Sequence, residues 1–117
     1  MNEEPQDLKL RTKLFALRII KLFTKLPKQT VAQVLGKQVL RSGTSVGANY
    51  REASRARSKN EFISKIGDSL KEIEETEYWL ELLVDSGCVQ PQKMASLLDE
   101  TRQLIAIFTT IDKKAKS

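Results

Sequence analysis

Chemistry in this chain could start from only a few residues. Glu52 and Glu77 are carboxylates that a helical reading turns toward one another, and two carboxylates can divide the acid and base roles of a proton transfer. Neither has a histidine to work with, because the chain contains none, and no activated nucleophile accompanies them. Di-iron helical bundles take Glu-x-x-His pairs, which are missing for the same reason. The one cysteine, Cys88, follows a helix C-terminus, where the helix dipole disfavours a thiolate. The run Gly43-Thr44-Ser45-Val46-Gly47 has the composition of a phosphate loop. It lacks that loop's lysine and preceding strand, and its glycines fall in mid-helix rather than at a helix N-terminus. These residues predict no catalytic group, no metal site and no cofactor.

The element that carries them is a helix with an odd inner face. The stretch Arg41–Ser58, RSGTSVGANYREASRARS, continues an apolar helical pattern with small and polar residues. At about 100° per residue, Leu35, Ser42, Ser45, Val46, Asn49, Ala53 and Ala56 share one side. Buried polar groups must find hydrogen bonds. The next helix offers Glu77, Thr76 and Ser69, so the spacing predicts an interhelical polar network of Ser45, Asn49 and Glu77 with Glu52 at its margin. Arg41 or Arg51 could reach a carboxylate from the edge. Gly36, Gly43 and Gly47 interrupt this helix at a cost of about 0.5–1 kcal/mol each relative to alanine, which implies close approach of another backbone.

Four helical periods account for the chain. Its 117 residues suffice for one domain with a core, and five glycines and three prolines allow few turns. Asp7 is placed to cap a first helix over 7–26, with Leu8, Phe15, Ile19, Leu22, Phe23 and Leu26 inward and Pro27 as a stop. Thr30 is placed to cap a second over 30–57, with Val31, Leu35, Val39 and Val46 inward. Asn60 or Ser58 can cap a third over 61–86, whose core side is Phe62, Ile66, Leu70, Ile73, Leu80 and Val84. Gly87 suits the left-handed position that ends a helix, and Pro91 the first turn of the fourth, over 91–112. That helix turns Met94, Leu97, Leu98, Thr101, Leu104, Ile105, Phe108 and Ile111 inward, and the tail KKAKS is expected to fray. Long helices joined by short turns predict an all-α, antiparallel up-down-up-down four-helix bundle.

Two groups of apolar residues fall outside these core stripes. Leu10, Leu14 and Leu17 recur at i, i+4, i+7 on the far side of the first helix, and Tyr78, Trp79 and Leu82 point away from the core of the third. Both are candidate oligomer interfaces, since buried aromatics dominate such contacts. The alternatives are a wide core face for the leucines and a Trp79 lying flat on a helix of its own bundle.

Charge is unevenly distributed. The net charge is +5, but residues 1–59 hold thirteen Lys/Arg against four Asp/Glu, a net +9, and residues 60–117 hold seven against eleven, a net −4. Such halves make a polarised surface or attract one another between subunits. Arg51, Arg55, Arg57 and Lys59, continued by Arg18, Lys21 and Lys25 and by Lys9, Arg11, Lys13 and Lys28, are candidate nucleic-acid contacts. Lysine and arginine bind phosphates without reading sequence, and no recognition helix, stacking platform or zinc signature accompanies them. No uncharged run reaches the roughly 18 residues of a membrane span, and the N-terminus MNEEPQDLKL does not read as a signal peptide, so a cytoplasmic protein without a membrane partner is expected.

The stretches LRTKLFALRIIKLFTKLPK and VLRSGTSVGANYREASRARSKNEFISKIGDSLKEIEETEYWLELL resemble the small bacterial four-helix-bundle family encoded by intervening sequences within 23S ribosomal RNA genes. The similarity runs from about Asp7 to the end and is strongest between Arg41 and Leu83, where a small polar helix is followed by E-x-x-Y-W-L. A related branch is the accessory variability protein of diversity-generating retroelements, a basic pentameric barrel that binds reverse transcriptase and nucleic acid. The resemblance implies a ring-like homo-oligomer of five subunits with a central channel, and an RNA, other nucleic-acid or nucleoprotein partner. It carries over no catalytic residue. A structural or protein-adaptor bundle with no nucleic-acid role is the alternative.

Overall fold

The computed structural model describes residues 5–117, with side chains from Leu8 onward. Four helices follow in order: α1 (Pro5–Thr24), α2 (Thr30–Ser54), α3 (Lys59–Asp85) and α4 (Pro91–Lys116). Contacts between neighbouring helices run in opposite chain order. Ile19 lies against Gly43 and Thr12 against Gly47; Ser42 meets Thr76 and Val46 meets Ser69; Arg11 reaches Glu100 and Arg18 reaches Ser96. The result is an up-down-up-down bundle with extents of 45 × 25 × 21 Å.

Local signals set most of the turns. Ser58 is extended (φ −151°, ψ 162°), and its Oγ accepts the Glu61 N–H at 3.0 Å, so Ser58 rather than Asn60 caps α3. Gly87 takes φ +83°, the left-handed conformation expected of it, and the Cys88 N–H turns back to the Leu83 carbonyl at 3.0 Å. Pro91 opens α4. Other boundaries differ from expectation. Thr30 is the first helical residue of α2 rather than its cap, and Gln29 precedes it without a side-chain cap bond. α1 starts at Pro5, which puts Asp7 inside the helix, with its side chain outside the described residues. α2 stops at Ser54, short of Arg57. The basic tail does not fray: α4 continues to Lys116, whose Nζ lies 3.0 Å from Asp112 Oδ2 one turn back.

The core contains the expected Leu8, Phe15, Ile19, Leu26, Val39, Val46, Ile66, Ile73, Leu80, Met94, Leu97, Leu104 and Phe108. On α2, however, the buried side is Ala32, Gly36, Val39, Ser42, Gly43, Val46, Gly47, Tyr50 and Ala53. This arc is centred about 80° from the predicted one at 100° per residue. Val31, expected inside, is 56% exposed, and Tyr50 instead packs edge-on against Phe108 with ring centroids 5.8 Å apart. Burial raises the Tyr50 phenol above its ordinary pKa.

The cause of the rotation is the glycine row. A Cβ at Gly36 would stand 2.5 Å from Leu26 Cδ1, at Gly43 2.7 Å from Ile19 Cγ1, and at Gly47 2.9 Å from Thr12 Oγ1. α1 therefore lies in a groove that α2 opens by omitting three side chains. Ile19 is fully buried and β-branched, so it has little room to yield. Gly43→Ala is expected to lower stability by about 1–2 kcal/mol in urea unfolding, because overpacking outweighs the gain in helix propensity. Stability equal to or above the parent would show that α1 is not seated on this groove.

Candidate nucleic-acid interface

An interhelical polar lock is present, but between other residues than the expected ones. Ser42, Ser69, Thr76, Thr12 and Thr101 are fully buried. Thr76 Oγ1 donates to the Glu72 carbonyl at 2.7 Å, which leaves it to accept from Ser42 Oγ at 2.8 Å. Ser69 Oγ donates across the same seam to the Val46 carbonyl at 2.9 Å. The predicted cluster of Ser45, Asn49 and Glu77 does not form. Ser45 donates within its own helix to the Arg41 carbonyl at 2.7 Å, and Asn49 is half-buried with no side-chain hydrogen bond among the described residues. Glu77 turns to α4, where its Oε2 lies 2.8 Å from Arg102 Nε. The rotation of α2 explains this: Ser42 moves to the seam with α3, and Ser45 and Asn49 swing toward its rim.

Ion pairs follow the seams between the helices. Arg41 reaches Glu75 at 2.6 Å and Glu72 at 3.2 Å, and the hydrogen-bonded Glu75 leads in raising the guanidinium pKa. Glu52 pairs with Lys65 at 2.6 Å, which holds the Glu52 carboxyl below its ordinary range. Arg11 grips Glu100 through two nitrogens at 2.8 and 3.0 Å and also reaches Gln103 at 2.7 Å, tying α1 to α4. Arg11 and Arg41 are thereby committed to the fold. Glu52 and Glu77 each face a cation rather than one another, and no group of three or more Cys, Asp or Glu side chains among the described residues could hold a metal ion.

The remaining cations fall into two groups. Arg51, Arg55, Arg57 and Lys59 are exposed at the turn between α2 and α3, beside a notch lined by Glu52, Arg55, Arg57 and Glu61. Arg18, Lys21 and Lys25 do not continue this patch as one stripe. α1 runs antiparallel to α2, so its later residues travel toward the opposite end. Arg18 donates to Ser96 Oγ at 2.9 Å, and Lys25 lines a cleft of about 700 Å³ with Pro27, Cys88, Val89 and Lys93. The first group instead gains company from α4. From the Tyr50–Phe108 contact, five residues along each helix lead to Arg55 and to Lys113, both about 8 Å further toward the same end. Lys113 and Lys114 are exposed there. They were missed because the tail was expected to fray, although up-down-up-down topology already requires α2 and α4 to finish together.

The two apolar groups also separate. Leu10, Leu14 and Leu17 are 56%, 51% and 51% exposed, so they do not belong to a wide core face. Tyr78 is 54% exposed, its ring centroid 5.2 Å from that of Trp79. Trp79 itself packs against the core of its own bundle, and Leu82 is half-buried.

The family model for 23S rRNA-intervening sequence proteins matches residues 6–110. The chain belongs to that family. Among solved structures, it is similar to a protein of unknown function from the S23 ribosomal protein family of Bacteroides thetaiotaomicron. The two share 38% identity over 93% of this chain and 97% of the other, with a TM-score of 0.87. No curated protein matches the chain. No described helix is long and apolar enough to cross a membrane. In this member of the 23S rRNA-intervening sequence family, Thr76→Val strands the buried Ser42 hydroxyl and should cost about 1–3 kcal/mol in chemical denaturation. Asn49→Ala should cost less than about 0.5 kcal/mol. The reverse order would restore the network around Asn49.

Proposed function

We propose that this protein is a non-enzymatic helical bundle that assembles as a ring-like homo-oligomer, a pentamer, and binds RNA or another nucleic acid through the basic end of each subunit. The observation that carries this reading is the convergence of Arg51, Arg55, Arg57 and Lys59 with Lys113 and Lys114 at one end of the bundle. None of these six makes a side-chain ion pair among the described residues, so their charge is available to phosphates. A ring with parallel subunits presents this end several times on one face. Weak single contacts then add up through multivalency. The family's description names 23S rRNA and the similar structure's family is named ribosomal, which favours RNA over other polyanions. Nothing in the patch reads bases, so binding follows phosphate density and RNA shape. A cytoplasmic location suits such a partner.

The exposed leucine stripe supports a second reading, a protein-interaction bundle with no nucleic acid. One titration separates the two. A structured RNA should shift in a gel at about 50 mM salt, and the shift should weaken steeply as salt rises. Arg51→Glu combined with Arg55→Glu should weaken it at least tenfold while helicity stays at the parent's level. No shift at low salt, or an unchanged shift in the double variant, would refute nucleic-acid binding by this end.

A further inference from the structure

The outward sides of α1 and α3 match in height, shape and charge. Heights follow from contacts inside the bundle. Thr12 lies against Gly47 while Ser69 bonds Val46, and Ile19 lies against Gly43 while Thr76 bonds Ser42. α1 and α3 run the same way, so Leu10, Leu17 and Lys21 stand at about the heights of Gly67, Glu74 and Tyr78, with 1.5 Å of rise per residue. On α1 the row Leu10, Leu14, Leu17 and Lys21 keeps within about 60° of arc, and Lys25 follows just past the helix end. On α3 the row Gly67, Lys71, Glu74, Tyr78 and Asp85 keeps within about 60°.

Gly67 distinguishes this row. The glycines of α2 each face a side chain of α1, but a Cβ at Gly67 would meet nothing within 4 Å. A glycine in the interior of a helix costs about 0.5–1 kcal/mol relative to alanine, and no contact among the described residues accounts for it. It leaves a flat place on α3 at the height of an exposed leucine on α1. Charge continues the match. Lys21 is within one helical turn of the height of Glu74, and Lys25, just past the helix end, is a little over one turn short of that of Asp85. All four are exposed and without an ion pair among the described residues. Lys71 stands opposite Leu14, where its aliphatic stem can cover the leucine.

We propose that the outer face of α1 docks, parallel and unshifted, on the outer face of α3 of a second copy, seating Leu10 over Gly67 and setting Lys21 and Lys25 against Glu74 and Asp85. The contact is head-to-tail, because each copy carries one basic and one acidic face. A contact without shift along the bundle axis has no rise, so repeated docking stays in one plane, and it closes as a ring where the rotation at each contact divides a full turn. Lys21 and Lys25 then belong to the subunit seam, and the end patch alone is left for phosphate. The inference rests on the self-association proposed above and specifies its surfaces.

Charge reversal tests it in the full chain, with mass read by light scattering and helicity by circular dichroism. Lys21→Glu with Lys25→Glu, and separately Glu74→Lys with Asp85→Lys, should each reduce the assembly to a single chain of 13.3 kDa. All four changes in one chain should return the parent's mass, because the faces are complementary again with signs exchanged. Gly67→Leu should keep full helicity yet lose the assembly. Single-face variants or Gly67→Leu at the parent's mass would overturn this docking, as would a four-change chain that stays at one subunit. A parent that is already a single chain would refute the ring itself, which keeps the two failures distinct.

Discussion

The contact on which the structure depends is the seating of α1 on the three glycines of α2. Leu26, Ile19 and Thr12 occupy space that a Cβ at Gly36, Gly43 or Gly47 would take. Close approach fixes the rotation of both helices. It turns Ser42 to the seam with α3, Tyr50 onto Phe108, and Ser45 and Asn49 toward the rim. On α1 the consequence lies outside: once Phe15 and Ile19 are sunk against α2, Leu10, Leu14 and Leu17 have only solvent to face. Packing inside and exposure outside are two results of one constraint.

Electrostatics act on that frame in a second layer. The basic hairpin of α1 and α2 is fastened to the acidic hairpin of α3 and α4 by Arg11–Glu100, by Arg41 with Glu72 and Glu75, and in the reverse sense by Glu52–Lys65. Pairs this exposed are screened by solvent and do more for alignment than for stability. The buried lock of Ser42, Thr76 and Ser69 is the more demanding part, because each hydroxyl removed from water needs its partner. These seams use only part of the charge asymmetry between the halves. The surplus cations at the end of the bundle, and the opposed signs on the outer faces of α1 and α3, are what a single subunit leaves unbalanced.

The fold class was legible because it rests on local signals. Ser58, Gly87 and Pro91 act within a few residues of themselves, and the apolar periods of α1, α3 and α4 need only neighbours on the same helix. The inner face of α2 was not legible in the same way. Glycine carries no hydrophobic mark, so a pattern counting apolar side chains slid toward Ser45 and Asn49 and took Val31 for core. The role of Glu77 depended on which neighbour it met, and Arg102 on α4 won over α2. The candidate basic patch was half legible. Arg51 to Lys59 are consecutive in sequence and remain together. Joining them to Lys113 and Lys114, or parting them from Lys21 and Lys25, required knowing which ends of which helices coincide. The topology was itself predicted, so that step was open to the sequence once the last helix was carried to its end.

The account joins an inner groove that orients α1 to an outer stripe that α1 thereby offers to another subunit. Light scattering of the parent beside Leu14→Lys tests that link most directly, because Leu14 makes the stripe and takes no part in the core. The parent should measure a multiple of 13.3 kDa, five subunits for the proposed ring, and Leu14→Lys should measure 13.3 kDa with undiminished helicity. A parent of 13.3 kDa, or a Leu14→Lys chain with the parent's mass, would contradict it.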